Sequence, residues 1–152
     1  MDNPNARPQP LHLLVVDDDD IDVMVIRRAI QKARILNPIT VARDGVEALE
    51  RLRDGSVPRP YVILLDVNMP RMNGHEFLDQ IRRDDELKDS TVFMLTTSES
   101  EVDKNAAVNR RVAGYVVKQC AGEEFRDLVH LLDGYWRIVE MPDRGPIGRG
   151  RQ

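Results

Sequence analysis

The chain has 152 residues, 41% hydrophobic and 32% charged, with a formal net charge of -4. That length suits one well-buried domain rather than two, and the composition fits a soluble globular protein. The acid excess argues against broad nucleic-acid or membrane-surface binding, and no apolar run approaches the roughly 18 residues of a membrane span.

Residues 1–10 carry three prolines and no apolar pattern, as expected of a flexible leader without a secretory signal core. Leu11 to Val16 is an apolar run that ends in four acids, Asp17 to Asp20. Val23, Ile26, Ile30 and Ala33 then recur at helical spacing. Asn37-Pro38 stops that helix, because the residue before proline is pushed out of the α region. Ile39 to Ala42 reads as a short strand, and Asp44-Gly45 turns into a second helix with Val46, Leu49 and Leu52 inward. Asp54-Gly55 with Pro58 and Pro60 forms a connecting loop.

Tyr61 to Leu65 is a continuous apolar run delivering one carboxylate, Asp66, with a turn immediately after. Such a run suits a strand covered on both faces, as in a parallel sheet. Gly74 leads into a third helix with Phe77, Leu78 and Ile81 facing the core. Thr91 to Leu95 is a fourth strand ending in Thr96-Thr97-Ser98, followed by a polar helix over roughly Ser100 to Arg110. Gly114 to Val117 makes a fifth strand ending in Lys118, and Phe125, Leu128, Val129, Leu132 and Trp136 line a last helix. Beyond Met141, glycines alternate with Arg144, Arg149 and Arg151, as expected of a disordered basic tail over 142–152. Cys120 is the single cysteine, so no intrachain disulfide is possible and a reducing cytoplasm is the natural setting.

Five strands alternating with five helices imply a doubly wound α/β fold with a parallel sheet. In the strand order 2-1-3-4-5 the first and third strands are neighbours at the switch point, where ligands bind at the carboxyl ends of strands. Asp17, Asp18 and Asp66 would then lie within a few ångströms of one another. Three carboxylates make -3, and one Mg²⁺ with Lys118 balances them, which suggests a phosphoryl-handling site. Aspartates before a helix are also good caps, and Asp19 or Asp20 is assigned that role. Thr96, at the end of its strand, is placed for a phosphoryl contact. His75, at the start of a helix, reads as a solvated cap-region histidine, and Met69 and Met72 as packing or partner-contact residues.

The set Val15-Val16-Asp17-Asp18, Leu64-Leu65-Asp66-Val67-Asn68-Met69-Pro70 with Asn73-Gly74, Thr96-Thr97 and Gly114-Tyr115-Val116-Val117-Lys118 resembles a two-component response-regulator receiver domain of the CheY-like type. The likeness covers nearly the whole ordered chain and places the receiver domain at 11–141. It implies that Asp66 accepts a phosphoryl group from a sensor histidine kinase. It implies further that Asp18, Asp66 and the main-chain carbonyl of Asn68 bind Mg²⁺, with Asp17 acting mainly through water. Lys118 and Thr96 would contact the phosphoryl oxygens, and Thr96 with Tyr115 would form the switch.

One departure stands out: the family usually follows the lysine with a cis proline, and here Gln119 stands in that place. A trans Lys118-Gln119 peptide is expected, since a cis bond before a non-proline residue costs about 2.5–4 kcal/mol. The stretches Asn37-Pro38-Ile39-Thr40-Val41 and Val139-Glu140-Met141-Pro142, with Trp136, look similar to single-domain regulators that partner bacterial phytochrome kinases. That subgroup implies a homodimer, for which Trp136 is the candidate anchor, its alternative being a core tryptophan. Output would pass through protein contacts, with no direct nucleic-acid or membrane binding and no enzymatic turnover beyond slow self-dephosphorylation. A binding module that uses the fold without phosphorylation is the alternative reading, favoured by the missing proline. A dedicated phosphatase working through an aspartyl-phosphate would need a second acid-base group, and none stands beside Val67-Asn68.

Overall fold

A computed structural model describes residues 10–32, 36–67, 69, 71–96, 112–117 and 127. Its elements in chain order are β1 (His12–Val16), α1 (Asp20–Lys32), β2 (Ile39–Ala42), α2 (Gly45–Arg53), β3 (Tyr61–Asp66), α3 (Gly74–Arg83), β4 (Thr91–Thr96) and β5 (Gly114–Val117). The strands form one sheet in the order β2-β1-β3-β4-β5, with every pairing parallel. The expected fold is therefore the one found. The fourth helix and, apart from the helical Asp127, the last helix fall outside the described residues.

The period-2 alternation of strand side chains sorts the apolar residues onto two faces. Leu14, Val16, Ile63, Leu65, Val92 and Met94 pack with Ala48, Leu49 and Leu52 of α2 and Phe77, Leu78 and Ile81 of α3. Leu13, Val15, Val62, Leu64, Leu95 and Val116 pack with Ile26 and Ile30 of α1. This division follows from topology. A right-handed crossover from β1 to β2 runs one way along the sheet, and the crossovers β2 to β3 and β3 to β4 run the other. Their helices must lie on opposite faces, and the direction reverses between β1 and β3.

All six residues of β3, Asp66 included, are buried, which explains the unbroken apolar run that precedes the acid. Local chemistry sets the helix starts. Asp19 caps α1, its Oδ1 accepting the backbone N–H of Ile21 at 2.8 Å and of Asp22 at 3.2 Å. That resolves the choice between Asp19 and Asp20. Asp44 caps α2 by accepting the Glu47 N–H at 2.9 Å. Asn73 and Glu76 form a reciprocal capping box at the start of α3. Tyr61 and Ser90 share a hydrogen bond of 2.7 Å at the amino end of the sheet, and the Arg59-Pro60 peptide is cis.

Candidate functional site

The parallel register of β1 and β3 pairs Val16 with Leu65. The next residue on each strand, Asp17 and Asp66, therefore emerges side by side at the carboxyl end of the sheet. Asp17 is almost fully buried, and its backbone N–H donates to Ala42 O at 3.0 Å. Its Oδ1 accepts the Asp19 N–H at 2.9 Å, which folds the acidic run into a turn. One carboxylate oxygen from each of Asp17, Asp18 and Asp66 lies within 4.8 Å of the others. The three acids expected to converge do so.

The donor set suits a hard cation: three carboxylates, no sulfur and no imidazole. Opposed ligands around Mg²⁺ at 2.0–2.1 Å lie about 4.2 Å apart. Carboxylate oxygens within 4.8 Å of one another are on that scale.

β4 places Thr96 one residue beyond the Asp66↔Leu95 pair. Its hydroxyl is fully buried and has no hydrogen-bond partner among the described residues. An unpaired buried hydroxyl carries a desolvation penalty of about 1–3 kcal/mol, so its position at the carboxyl end of the sheet calls for an explanation. Tyr115 lies on β5 in register with Met94, packed against the α2–α3 side of the core, and burial pushes its phenol pKa up.

The loop from β3 to α3 is built tightly against Asp66. The Gly74 N–H donates to Val67 O at 2.9 Å, and a Cβ on Gly74 would lie 2.6 Å from Asp66 O and 2.9 Å from Val67 Cα. No residue but glycine fits there without moving backbone. Farther along the loop, Met72 covers Gly45 of α2, and a Cβ on Gly45 would meet its Cγ and Sδ at 2.9 Å. Met69 packs against the same core, so both loop methionines have the packing role expected. At the rim, Arg43 pairs with Asp20 at 2.7 Å, and its pKa is raised by that hydrogen bond and by the charge of Asp20.

Sequence reasoning missed the ion pair between Arg71 Nε and Asp44 Oδ2, at 2.6 Å. Burial pushes the Asp44 carboxyl up, but the Arg71 guanidinium and the α2 backbone N–H groups outweigh it and hold the pKa below the ordinary value. His75 is half-buried in the first turn of α3 rather than fully solvated. His12 shares a 2.7 Å hydrogen bond with Thr40 at the other end of the sheet. Asn68, Lys118, Gln119, Cys120 and Trp136 lie outside the described residues.

Comparison with known proteins agrees with this geometry. Residues 13–130 match the response regulator receiver domain model. A probable methanogenesis regulatory protein, FilR2, of Methanothrix harundinacea is 35% identical over 130 residues, covering 84% of each chain. Response regulator Rcp1 of Synechocystis is 30% identical over 138 residues, covering 88% of this chain and 94% of its own. A structure of the Mn²⁺-bound form of Rcp1 superposes with a TM-score of 0.64, at 30% identity over 84% of this chain and 94% of that one. The bacteriophytochrome response regulator AtBRR superposes with a TM-score of 0.70, at 33% identity over 83% of this chain and 93% of that one. Parallel sheet, converged acids and family match lead to one conclusion: the chain belongs to the response-regulator receiver family.

Proposed function

We propose that this chain is a phosphorylation switch or relay intermediate, in which Asp66 accepts a phosphoryl group from the phosphohistidine of a sensor histidine kinase. The observation that carries this reading is the convergence of Asp17, Asp18 and Asp66 within 4.8 Å at the carboxyl ends of β1 and β3. In the transfer, the N–P bond of the donor breaks and an O–P bond forms at an Asp66 carboxylate oxygen. The imidazole leaves with the bonding pair. Asp66 needs only to be ionised, rigid and in line; burial in a fully packed strand supplies the rigidity, and a bound cation would favour the ionised form.

When bound, Mg²⁺ would be held by Asp18, Asp66 and the main-chain carbonyl of Asn68, with Asp17 through water, and would supply positive charge at the phosphoryl oxygens. Lys118 would pair with those oxygens as well. The Thr96 hydroxyl would donate to one of them, which would give that buried group its partner. Its movement would let Tyr115 turn inward as the switch.

The donor is read as a protein because α1, which starts beside the acids, leaves Ile21, Met24 and Val25 exposed on one outward stripe. Similarity to the bacteriophytochrome response regulator AtBRR supports a bacteriophytochrome kinase as donor; a homodimer with Trp136 at its interface and a cytoplasmic location complete the reading. On this reading the receiver domain would span 11–141. The phosphoryl group would leave by slow hydrolysis of the acyl phosphate.

Incubation with Mg²⁺ and a small phosphodonor tests the reading. The wild type should gain one phosphoryl group in a base-labile adduct, and Asp66→Asn should gain none. A wild type that stays unmodified in the presence of Mg²⁺ would favour the alternative, a binding module that works without phosphorylation. Sedimentation of wild type and Trp136→Ala tests the dimer.

A further inference from the structure

We propose that Arg71 is a positioning residue: its guanidinium ties the loop after Asp66 to the N-cap of α2 and so holds the cation-binding geometry of Asp66. The inference rests on the phosphoacceptor reading for the chemistry it serves, whereas the tie itself is geometric.

Arg71 has a φ of +60°, a left-handed backbone that L-residues with long side chains rarely adopt. Glycine would hold that backbone without strain. What arginine adds is its side chain, and that side chain reaches Asp44, 27 residues earlier, with Nε 2.6 Å from Oδ2. Asp44 is an unusually firm anchor. Its side chain is only 7% exposed, against 62% for Arg71, and its other oxygen already caps α2.

The loop is closed at its base by Gly74 N–H on Val67 O, against the backbone of Asp66. At its far end, among the described residues, Arg71 supplies the charged tie and Met72 on Gly45 the apolar one. Between base and tie stands Asn68, whose carbonyl the resemblance assigns to Mg²⁺. A loop closed by Gly74 and tied by Arg71 has fewer conformations open to it. Released at Arg71, it keeps its base and Met72 but gains freedom where the cation needs a fixed oxygen. Removing Arg71 also leaves Asp44 buried and one partner short.

Three variants isolate the effect in the full chain. Arg71→Gly removes the guanidinium and keeps the left-handed backbone; Arg71→Lys restores a charge without the fork. Asp44→Asn keeps the helix cap and removes the ion pair. For Arg71→Gly the Mg²⁺ dissociation constant should rise about fivefold, below the ten- to hundredfold seen when direct partners of metal ligands are removed. The rate of phosphorylation by a small donor should fall at subsaturating Mg²⁺ and recover at saturation. Exchange of the Gly74 amide should speed up by about tenfold as the loop opens. Lysine should restore part of each effect, and the Arg71→Gly/Asp44→Asn pair should be no worse than either single change. Unchanged Mg²⁺ affinity and unchanged Gly74 exchange in Arg71→Gly would overturn the proposal, as would additive effects in the pair. If the wild type binds Mg²⁺ but takes no phosphoryl group, the phosphoacceptor reading fails. Cation affinity and amide exchange still decide the tie.

Discussion

Asp66→Asn should stabilise the protein without Mg²⁺ and destabilise it, relative to wild type, with Mg²⁺. At 4.8 Å, the outer limit of their separation, two carboxylates repel by about 0.9 kcal/mol in water and about 3.5 kcal/mol at an effective dielectric of 20. Asp66 takes part in two such pairs. The pair with the partly exposed Asp18 lies near the lower figure, and the pair with buried Asp17 lies between the two. Neutralising Asp66 therefore relieves about 3 kcal/mol, from which about 1 kcal/mol is subtracted for the weaker hydrogen bonds of an amide. A net gain of about 2 kcal/mol raises the melting temperature by about 4–8 °C for a chain of this size. Saturation reverses the order. At a hundred times its dissociation constant Mg²⁺ stabilises the wild type by about 2.7 kcal/mol, and the asparagine variant should gain little. Thermal unfolding followed by circular dichroism, first in chelator and then across a Mg²⁺ titration, should show the two melting curves exchange places. An asparagine variant that melts at or below the wild type in chelator would refute the mutual repulsion. An equal gain from Mg²⁺ in both proteins would refute Asp66 as a ligand.

The remaining expectations concern the surroundings of the acids. Gly74→Ala puts a methyl group 2.6 Å from Asp66 O; backbone must shift, so a loss of about 1–3 kcal/mol in denaturant unfolding should accompany much slower phosphorylation. Thr96→Val removes a buried hydroxyl with no partner among the described residues; the unmodified protein should be as stable or up to about 1 kcal/mol more stable, while its acyl phosphate forms more slowly. Burial lowers the His12 pKa below its ordinary 6.5, so the folded state binds this proton less readily than the unfolded state does. Its contribution is then present above pH 6.5 and is lost as pH falls through the folded value, and His12→Gln should lose less stability over that interval.

Much of this could be read from sequence because the strong signals are local. The runs at Leu13–Val16 and Tyr61–Leu65 are apolar on both faces because helices cover both faces of the sheet, α1 on one and α2 and α3 on the other. The order 2-1-3-4-5 then makes neighbours of acids 49 residues apart in the chain, Asp17 and Asp66. Helix periodicity located Ile26 and Ile30 correctly, but the second apolar stripe of Ile21, Met24 and Val25, exposed on the outward face, was not read from it. The choice between Asp19 and Asp20 needed coordinates, since either residue type can cap and only Asp19 reaches the N–H groups of Ile21 and Asp22. The Arg71–Asp44 pair was invisible for a deeper reason. A left-handed arginine between Pro70 and Met72 has no sequence signal, and its partner lies in another loop. Likewise the His12–Thr40 contact joins adjacent strands far apart in sequence.

The missed contact bears on how an acidic site can be rigid before its cation arrives. Three crowded carboxylates tend to push their loops apart, so the loops need ties that do not use the site's own charges. The structure supplies them at one remove. Asp19 caps α1 and fixes the acidic turn, Arg43 holds Asp20 at the rim, and Asp44 caps α2 while Arg71 binds it to the loop after Asp66. Gly74, pressed against Asp66 O, closes the last side. Apart from the Asp19 N–H on Asp17 Oδ1, these ties are made by residues outside the acidic cluster. Such a frame keeps the Asp66 carboxyl in place while its neighbours repel it, and on the proposed phosphoacceptor reading that fixed aim is what in-line transfer would use.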